Sequence, residues 1–361
     1  CALPICDRGT FAMMLGVPVL QMLLFGFAIN SDPRHLPTAI HLADNSVYAR
    51  SIAAALANST YFDIVATVPT PADGSRLLDR GEVSFVITIP VNFSRDLVRG
   101  RKPQVLIEAD ASDPAAASNA LAAISELGTS ALRNDLTGPL AARTGAGIPF
   151  TPILQRRYNP EGITQYNIVP GLIAVILTMT MVMVTAMAMT RERERGTLEN
   201  LLAMPARPIE VMLGKIFPYV VVGYSQAVLI LLGARYIFHV PMMGSLALLT
   251  GAAGLFIAAN LALGFTFSTI AKSQLQAMQM TVFFLLPSIL LSGFMFPFRG
   301  MPEWAQWIGS VLPLTHFLRI VRGVTLKGAS YDEVAIELGW LASILCVLVT
   351  LAALRFRKKL G

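Results

Sequence analysis

Thr190 to Lys215 reads TRERERGTLENLLAMPARPIEVMLGK, and it comes after a run from Tyr166 to Met189 that holds no charged residue. A charge-free run of that length is what a helix needs to cross a hydrocarbon core about 30 Å thick. On the simplest reading Arg191, Arg193 and Arg195 snorkel to the headgroups and stop the span there. That reading leaves the residues beyond Arg195 unexplained. Thr197 is placed to cap a turn, Leu198, Leu201 and Leu202 recur at i, i+3 and i+4, and Pro205 ends the segment. Pro208 then opens a second helix with Ile209, Met212 and Leu213 on one face. Arg191 with Glu194, and Glu192 with Arg195, are opposite-sign pairs at i, i+3 that largely cancel, whereas a helix lying flat on lipid wants net positive charge. A short helix with both charge signs and a leucine ridge suits docking into a groove on another protein. The residues alone leave stop-transfer and docking both open.

The rest of the chain is equally apolar: 54% of its 361 residues are hydrophobic and 14% charged, and the mean hydropathy is +0.61. Such a composition belongs to an integral membrane protein rather than a soluble one. The net charge of +6 is spread among apolar spans, without the clustered basic face that nucleic-acid binding needs. Cys1, Cys6 and Cys346 lie outside the polar region from Asn30 to Gln165, so no disulfide framework staples that region. Cys1 to Cys6 looks like neither a signal n-region nor a helix, and this end reads as truncated or atypical.

Six windows are long and apolar enough to span: Phe11 to Ala28, Tyr166 to Met189, Ile216 to His239, Leu246 to Ala271, Ala277 to Phe296 and Val334 to Leu354. The first reads as an uncleaved anchor, because no small-x-small cleavage site follows Phe27. With both termini cytoplasmic, eleven Lys and Arg near span ends fall inside, against five outside, which fits the positive-inside rule. The predicted organisation is residues 1–30 as N-terminal segment and first span, 31–165 as an extracytoplasmic domain, and 166–361 as five spans. Within the last, 191–205 is a cytoplasmic helix and 297–330 an outer interfacial or re-entrant segment.

The external region alternates. LPTAIHLAD, FDIVATV, VSFVITIP and PQVLIEAD read as strands; SVYARSIAAALANS, ADGSRLLDRG and Asn92 to Arg99 read as helices. Ala115 to about Ala142 reads as a long Ala-rich helix, and TGAGIPFTPILQRRYNPEG as a linker back to the membrane. The fold class is therefore an α-helical membrane protein with a mixed α/β domain between its first two spans. In the outer segment, Trp304 and Trp307 suit the headgroup belt. Thr315, Arg319 and Arg322 share one helical face there, with Phe317, Leu318, Ile320 and Val321 covering the rest.

Two motifs carry a family resemblance. ERERGTLENLLAMPARPIEVMLGKIFPY places Glu192, Arg193, Glu194, Gly196, Thr197, Leu198, Glu199, Leu201, Leu202 and Pro205, then Glu210, Gly214, Lys215 and Pro218. LSGFMFP and PLTHFLRIVRG stand at Leu291 to Pro297 and Pro313 to Gly323. Both resemble type-2 ABC exporter permeases of the YhhJ, YbhR and YbhS-like subgroup, as does the order of one span, a large external domain and five spans. The departure is at the start, where CALPICDRGT retains only something like the end of the family's basic elbow helix. The resemblance implies that Arg193, Glu194, Gly196, Thr197, Leu198, Glu199, Leu202 and Pro205 form a coupling helix against a separate cytoplasmic ATP-binding subunit, which holds ATP and Mg. It also implies a second permease subunit, identical or homologous, a periplasmic adaptor (membrane fusion protein), a bacterial inner membrane, and export of drug-like or amphipathic compounds.

No G-x-x-x-x-G-K-[ST] phosphate loop, His-Glu-x-x-His, Cys-x-x-Cys or nucleophile elbow occurs, so catalysis, a bound cofactor and a bound metal are not expected of this chain. Polar residues within spans are costly in lipid and face protein or water. Gln21, Thr178, Thr180, Ser225, Gln226, Asn260, Gln276 and Gln279 are such residues, and interhelical hydrogen bonds worth about 0.6 kcal/mol each are the plainer explanation. Asn260 and Gln226 are candidates for the transport path, with Met179 and Met183 from a methionine-rich stretch suited to varied apolar ligands; packing against lipid is the alternative for the methionines. Two other function classes remain. A membrane-anchored receptor or adhesion scaffold would need only one or two spans. An ion-driven carrier tends to bury carboxylates mid-membrane, whereas the spans hold no Asp and one Glu, Glu337, near an end.

Overall fold

The computed structural model describes residues 34–112, 148–195 and 208–357, with isolated positions between 123 and 136; in the last segment side chains are described from 217 to 355. The span expected at Phe11 to Ala28, and most of the Ala-rich helix expected from Ala115, lie outside the described residues. The chain divides into two compact units, Asn30–Asn167 with Arg299–Met301 on one side and most of the remainder on the other.

The first unit is a five-stranded mixed sheet, β1 (Leu36–Leu42), β2 (Phe62–Thr67), β3 (Phe85–Ile89), β4 (Gln104–Asp110) and β5 (Thr151–Arg157), in the order β2-β1-β3-β4-β5. β1 pairs parallel with β2 and β3, β3 antiparallel with β4, and β4 parallel with β5. Among the described residues three helices accompany it: α1 (Val47–Ala57), α2 (Pro71–Asp79) and α3 (Phe93–Val98). Their starts are locally encoded. Ser46 caps α1 by accepting from the Ala49 amide at 3.3 Å, and Thr70 caps α2 by accepting from Asp73, with Pro71 in the first turn, where a missing N–H costs nothing. The Asp44 carboxylate accepts from the Ser46 and Ser94 amides at 2.8 Å each. Burial pushes that carboxyl up, but the Ser94 and Ser46 bonds outweigh it and hold it below the usual 3.8. A depressed carboxylate stabilises the fold above its unfolded value and loses that contribution as pH falls through its folded one. The core is apolar, with Ile40, Phe62, Phe85, Ile87, Ile107 and Phe93 fully enclosed and Phe62 edge-on to Phe85 at 5.7 Å.

One expectation is overturned. Thr151–Arg157 is not linker but strand β5, in register with β4 from Gln104 opposite Thr151 to Asp110 opposite Arg157.

The second unit is helical: α4 (Thr164–Glu194), α5 (Pro208–Tyr236), α6 (Leu246–Ile270), α7 (Gln274–Leu291), α8 (Glu303–Ser310), α9 (Pro313–Arg322) and α10 (Tyr331–Arg357), with a π-helical turn at Gly323–Lys327 after α9. Among the described residues, five helices are long and apolar enough to cross a membrane: α4, α5 from Phe217, α6, α7 and α10. Pro170, Pro218 and Pro287 sit inside α4, α5 and α7 without ending them. α5 starts at Pro208 and continues into the span without a break. Of the hydroxyls expected to bridge helices, Thr178 and Ser225 bond their own backbone, donating to the Ala174 and Val221 carbonyls at 2.8 Å each; Thr190 and Thr281 do the same, to Ala186 at 2.7 Å and Ala277 at 3.0 Å. That satisfies each hydroxyl without a neighbour.

Helices approach closely where residues are small, because apolar lipid offers no hydrophobic drive to bring them together. α6 packs Ala252, Ala253 and Ala259 inside the unit. A Cβ on Gly264 would lie 2.6 Å from the Val182 carbonyl oxygen and 2.9 Å from the Thr185 Cβ. Gly264→Val therefore forces α4 and α6 apart, and a destabilisation of about 1 to 3 kcal/mol is expected, read as a lower Tm of the detergent-purified protein.

Candidate functional site

The charged end of α4 is fixed to the turn between α6 and α7. Ser273 caps α7, accepting from the Gln276 amide at 3.2 Å. Beyond that cap, Glu194 offers both carboxylate oxygens to Gln274: the backbone amide donates at 2.9 Å and the side-chain amide at 2.5 Å. An anion is stabilised at a helix N-terminus, where first-turn N–H groups lack partners and the dipole is positive. Arg193 Nη1 donates to the Ala271 carbonyl at 3.2 Å. Arg193 and Glu194 thus bracket a four-residue turn from opposite sides. The expected i, i+3 pairing of Glu194 with Arg191 is replaced by this clamp across 80 residues. Nothing in the sequence pattern marks Gln274 as the partner; the one available signal is that a helix start with Ser273 as cap would draw an anion. Gly196, Thr197, Leu198, Glu199, Leu202 and Pro205 lie outside the described residues.

The candidate path residues fall in two environments. Met179 is 44% exposed on the described helices, and Met183 is half-buried. Thr180, beside Met179, donates to Gln226 Oε1 at 2.8 Å, linking α4 to α5. Asn260 is fully buried in α6; its Nδ2 donates to the Phe256 carbonyl at 2.9 Å, and its Oδ1 has no hydrogen-bond partner among the described residues. Gln226 therefore meets α4 at Thr180, next in the chain to Met179, while Asn260 belongs to the packed interior.

The segment from Pro297 to Lys327 is not one surface-lying helix. Trp304 and Trp307 are on α8, 43% and 75% exposed. α9 is enclosed along most of its length, from Pro313 to Leu318 and again at Ile320 and Val321, and the Phe317 ring stacks on Phe256 at 4.2 Å and 10°. Thr315 faces inward and donates to the Gly309 carbonyl at 2.6 Å. Arg322 donates to the Gly293 and Phe294 carbonyls at 3.1 and 3.3 Å, beyond the end of α7, where cations complement the helix dipole. Arg319 donates to Glu337 Oε1 at 2.9 Å and lies 4.5 Å over the Phe298 ring. In sequence, His316 is one of four scattered histidines, and Glu337 stands out only for lying near a span end. The structure joins them at 2.5 Å across 21 residues.

Comparison with known proteins agrees with the motifs. A family model described as "ABC-2 family transporter protein" matches residues 8–354. Over 364 residues the chain is 27% identical to "Probable multidrug ABC transporter permease YbhS" of Escherichia coli (strain K12), covering 98% of this chain and 93% of that one. Over 350 residues it is 27% identical to "Probable multidrug ABC transporter permease YbhR" of the same organism, covering 97% and 94%. Over 292 residues it is 30% identical to "Inner membrane transport permease YhhJ", again from Escherichia coli (strain K12), covering 79% and 75%. A family match across nearly the whole chain, on a structure with five described spans, identifies this chain as a multi-pass membrane protein of the ABC-2 transporter family.

Proposed function

We propose that this chain is the membrane-embedded half of an ATP-driven exporter, coupled to its ATPase through residues 191–205. The observation that carries this reading is the clamp of Arg193 and Glu194 on the turn at Ala271 and Gln274. Docking at Thr197, Leu198, Glu199 and Leu202, stopped by Pro205, would act on Gly196 and the clamp directly upstream. A displacement there reaches α4, α6 and α7 together, as coupling through a two-state element requires. ATP and Mg reside on the separate cytoplasmic subunit, and this chain binds neither.

In this reading residues 1–30 hold the first span, 31–165 form the extracytoplasmic domain, and 166–361 hold the remaining five. Both termini are cytoplasmic in a bacterial inner membrane, and a second permease subunit completes the path. Names given to similar permeases support a multidrug substrate class, and the exposed Met179 with the half-buried Met183 one turn on suits varied amphipathic compounds. The external domain would meet a periplasmic adaptor.

Two variants test the coupling. Glu199→Arg with Leu202→Asp should abolish co-purification of the ATPase, and normal recovery of the complex would refute the docking role. Glu194→Ala should leave co-purification intact while cutting transport about tenfold, the effect of losing roughly 1.4 kcal/mol of coupling; unchanged transport would refute the clamp's part.

A further inference from the structure

His316 is 2% exposed on α9, yet each of its ring nitrogens meets an acceptor. Nε2 lies 2.7 Å from the Ser310 carbonyl oxygen, and Nδ1 lies 2.5 Å from Glu337 Oε2 on α10. A carbonyl only accepts, so Nε2 carries a hydrogen. The second contact then requires one further proton, on Nδ1 or on the carboxyl, because without it two lone pairs face each other. Arg319 donates to the other carboxylate oxygen at 2.9 Å, which favours an ionised Glu337 and hence an imidazolium. Rotating the ring by half a turn would aim carbon atoms at both acceptors, so the hydrogen-bond network fixes its orientation. The indole of Trp340 stacks on the imidazole, centroids 6.0 Å apart and planes 15° apart.

We propose that His316, Glu337 and Arg319 form a one-proton binding site that fastens α9 to α10 while the proton is held and releases it as pH rises. On release the proton passes to water, leaving a neutral His316 with hydrogen on Nε2 opposite a Glu337 carboxylate. The surroundings offer little competition. α6 and α7, which pack on α9, carry no titratable side chain. α8 contributes Glu303, the π-helical turn Lys327, α9 itself Arg319 and Arg322, and the start of α10 Asp332 and Glu333. Of these, Arg319 shares the carboxylate that holds the ring, Arg322 bonds the carbonyls beyond α7, and Glu333 binds the Ser330 amide at 2.6 Å.

The site is read through Trp340, whose emission an imidazolium stacked on it quenches. The full chain with Trp304→Phe and Trp307→Phe retains one indole, and both replaced residues are exposed enough to tolerate the change. Across the pH range over which the protein stays folded, emission should rise in one single-proton step. His316→Gln should abolish the step. Glu337→Gln, whose amide can donate to a neutral ring, should move it to lower pH and keep the helices joined above it. At the alkaline end, amide exchange over residues 313–322 should be faster in the parent than in the Glu337→Gln form. A flat parent titration, a step that survives His316→Gln, an unmoved midpoint in Glu337→Gln, or equal exchange at the alkaline end would each overturn the proposal.

Discussion

Arg157→Ala should open the sheet of the first unit, with amide exchange over residues 85–89 and 104–110 accelerated roughly 30- to 100-fold in the intact protein, the equivalent of about 2 to 3 kcal/mol. Glu108 stands on β4, near the middle of the sheet, with a side chain 5% exposed. Arg157 Nε and Nη2 both donate to its Oε1, at 2.9 and 2.6 Å, and Nη2 also donates to Ser75 Oγ at 2.8 Å. The guanidinium fork thus joins β4, β5 and α2. The hydrogen bond to Glu108 raises the guanidinium's affinity for its proton by more than burial lowers it, so the arginine stays charged above its usual range. Removing it strands a carboxylate among apolar neighbours, and that desolvation is the main cost. The arginine is 32% exposed, so solvent screening brings the effect below the roughly 3 to 5 kcal/mol of fully buried pairs. A Glu108→Gln change added to Arg157→Ala should recover part of the loss. If exchange in the single variant matches the parent, the pair contributes nothing to this fold.

Phe317→Ala should lower the melting temperature of the detergent-purified protein by the equivalent of about 3 kcal/mol, the usual cost of emptying a fully buried aromatic site. Phe317 and Phe256 are both 0% exposed, and their stack is the aromatic contact between α9 and α6. The neighbours Ile320, Val321 and Leu314 are equally enclosed, so collapse into the vacated volume is restricted. Phe317→Leu, which keeps much of the volume, should cost well under half as much. Equal melting of all three proteins would mean that α9 is not held by this packing.

The two units differ in how readable they are from sequence. Strands β1 to β4 announce themselves as short β-branched and aromatic runs between turn residues, and both faces of β3 and β4 are largely enclosed. β5 does not: TPILQRR alternates between exposed and half-buried positions at the sheet edge, and its Pro- and Gly-rich surroundings imitate a linker. Only pairing with β4, far back in the chain, makes it a strand. The described spans are legible because composition alone selects them within a few residues of their observed ends. α9 is legible as a helix but not as a buried one, since Thr315 and its arginines look like a polar face while their partners Gly309, Gly293, Phe294 and Glu337 are distant or unmarked in the chain. The Glu194 clamp is hidden for the same reason: local spacing offers Arg191, and distant topology supplies Gln274.

The place of β5 has a consequence for synthesis. β4 is finished at Asp110, but its neighbour begins at Thr151, forty residues later (Ala111 to Phe150). At about 5 to 20 residues per second, the ribosome leaves one flank of β4 open for a few seconds. Non-local parallel pairing of this kind is slow to form in any case. When β5 does arrive, α4 begins only seven residues after Arg157, so sheet completion and the insertion of the next helix fall almost together in time. A pause in translation between 111 and 150 would therefore lengthen the time for which that unpaired, aggregation-prone flank stands open.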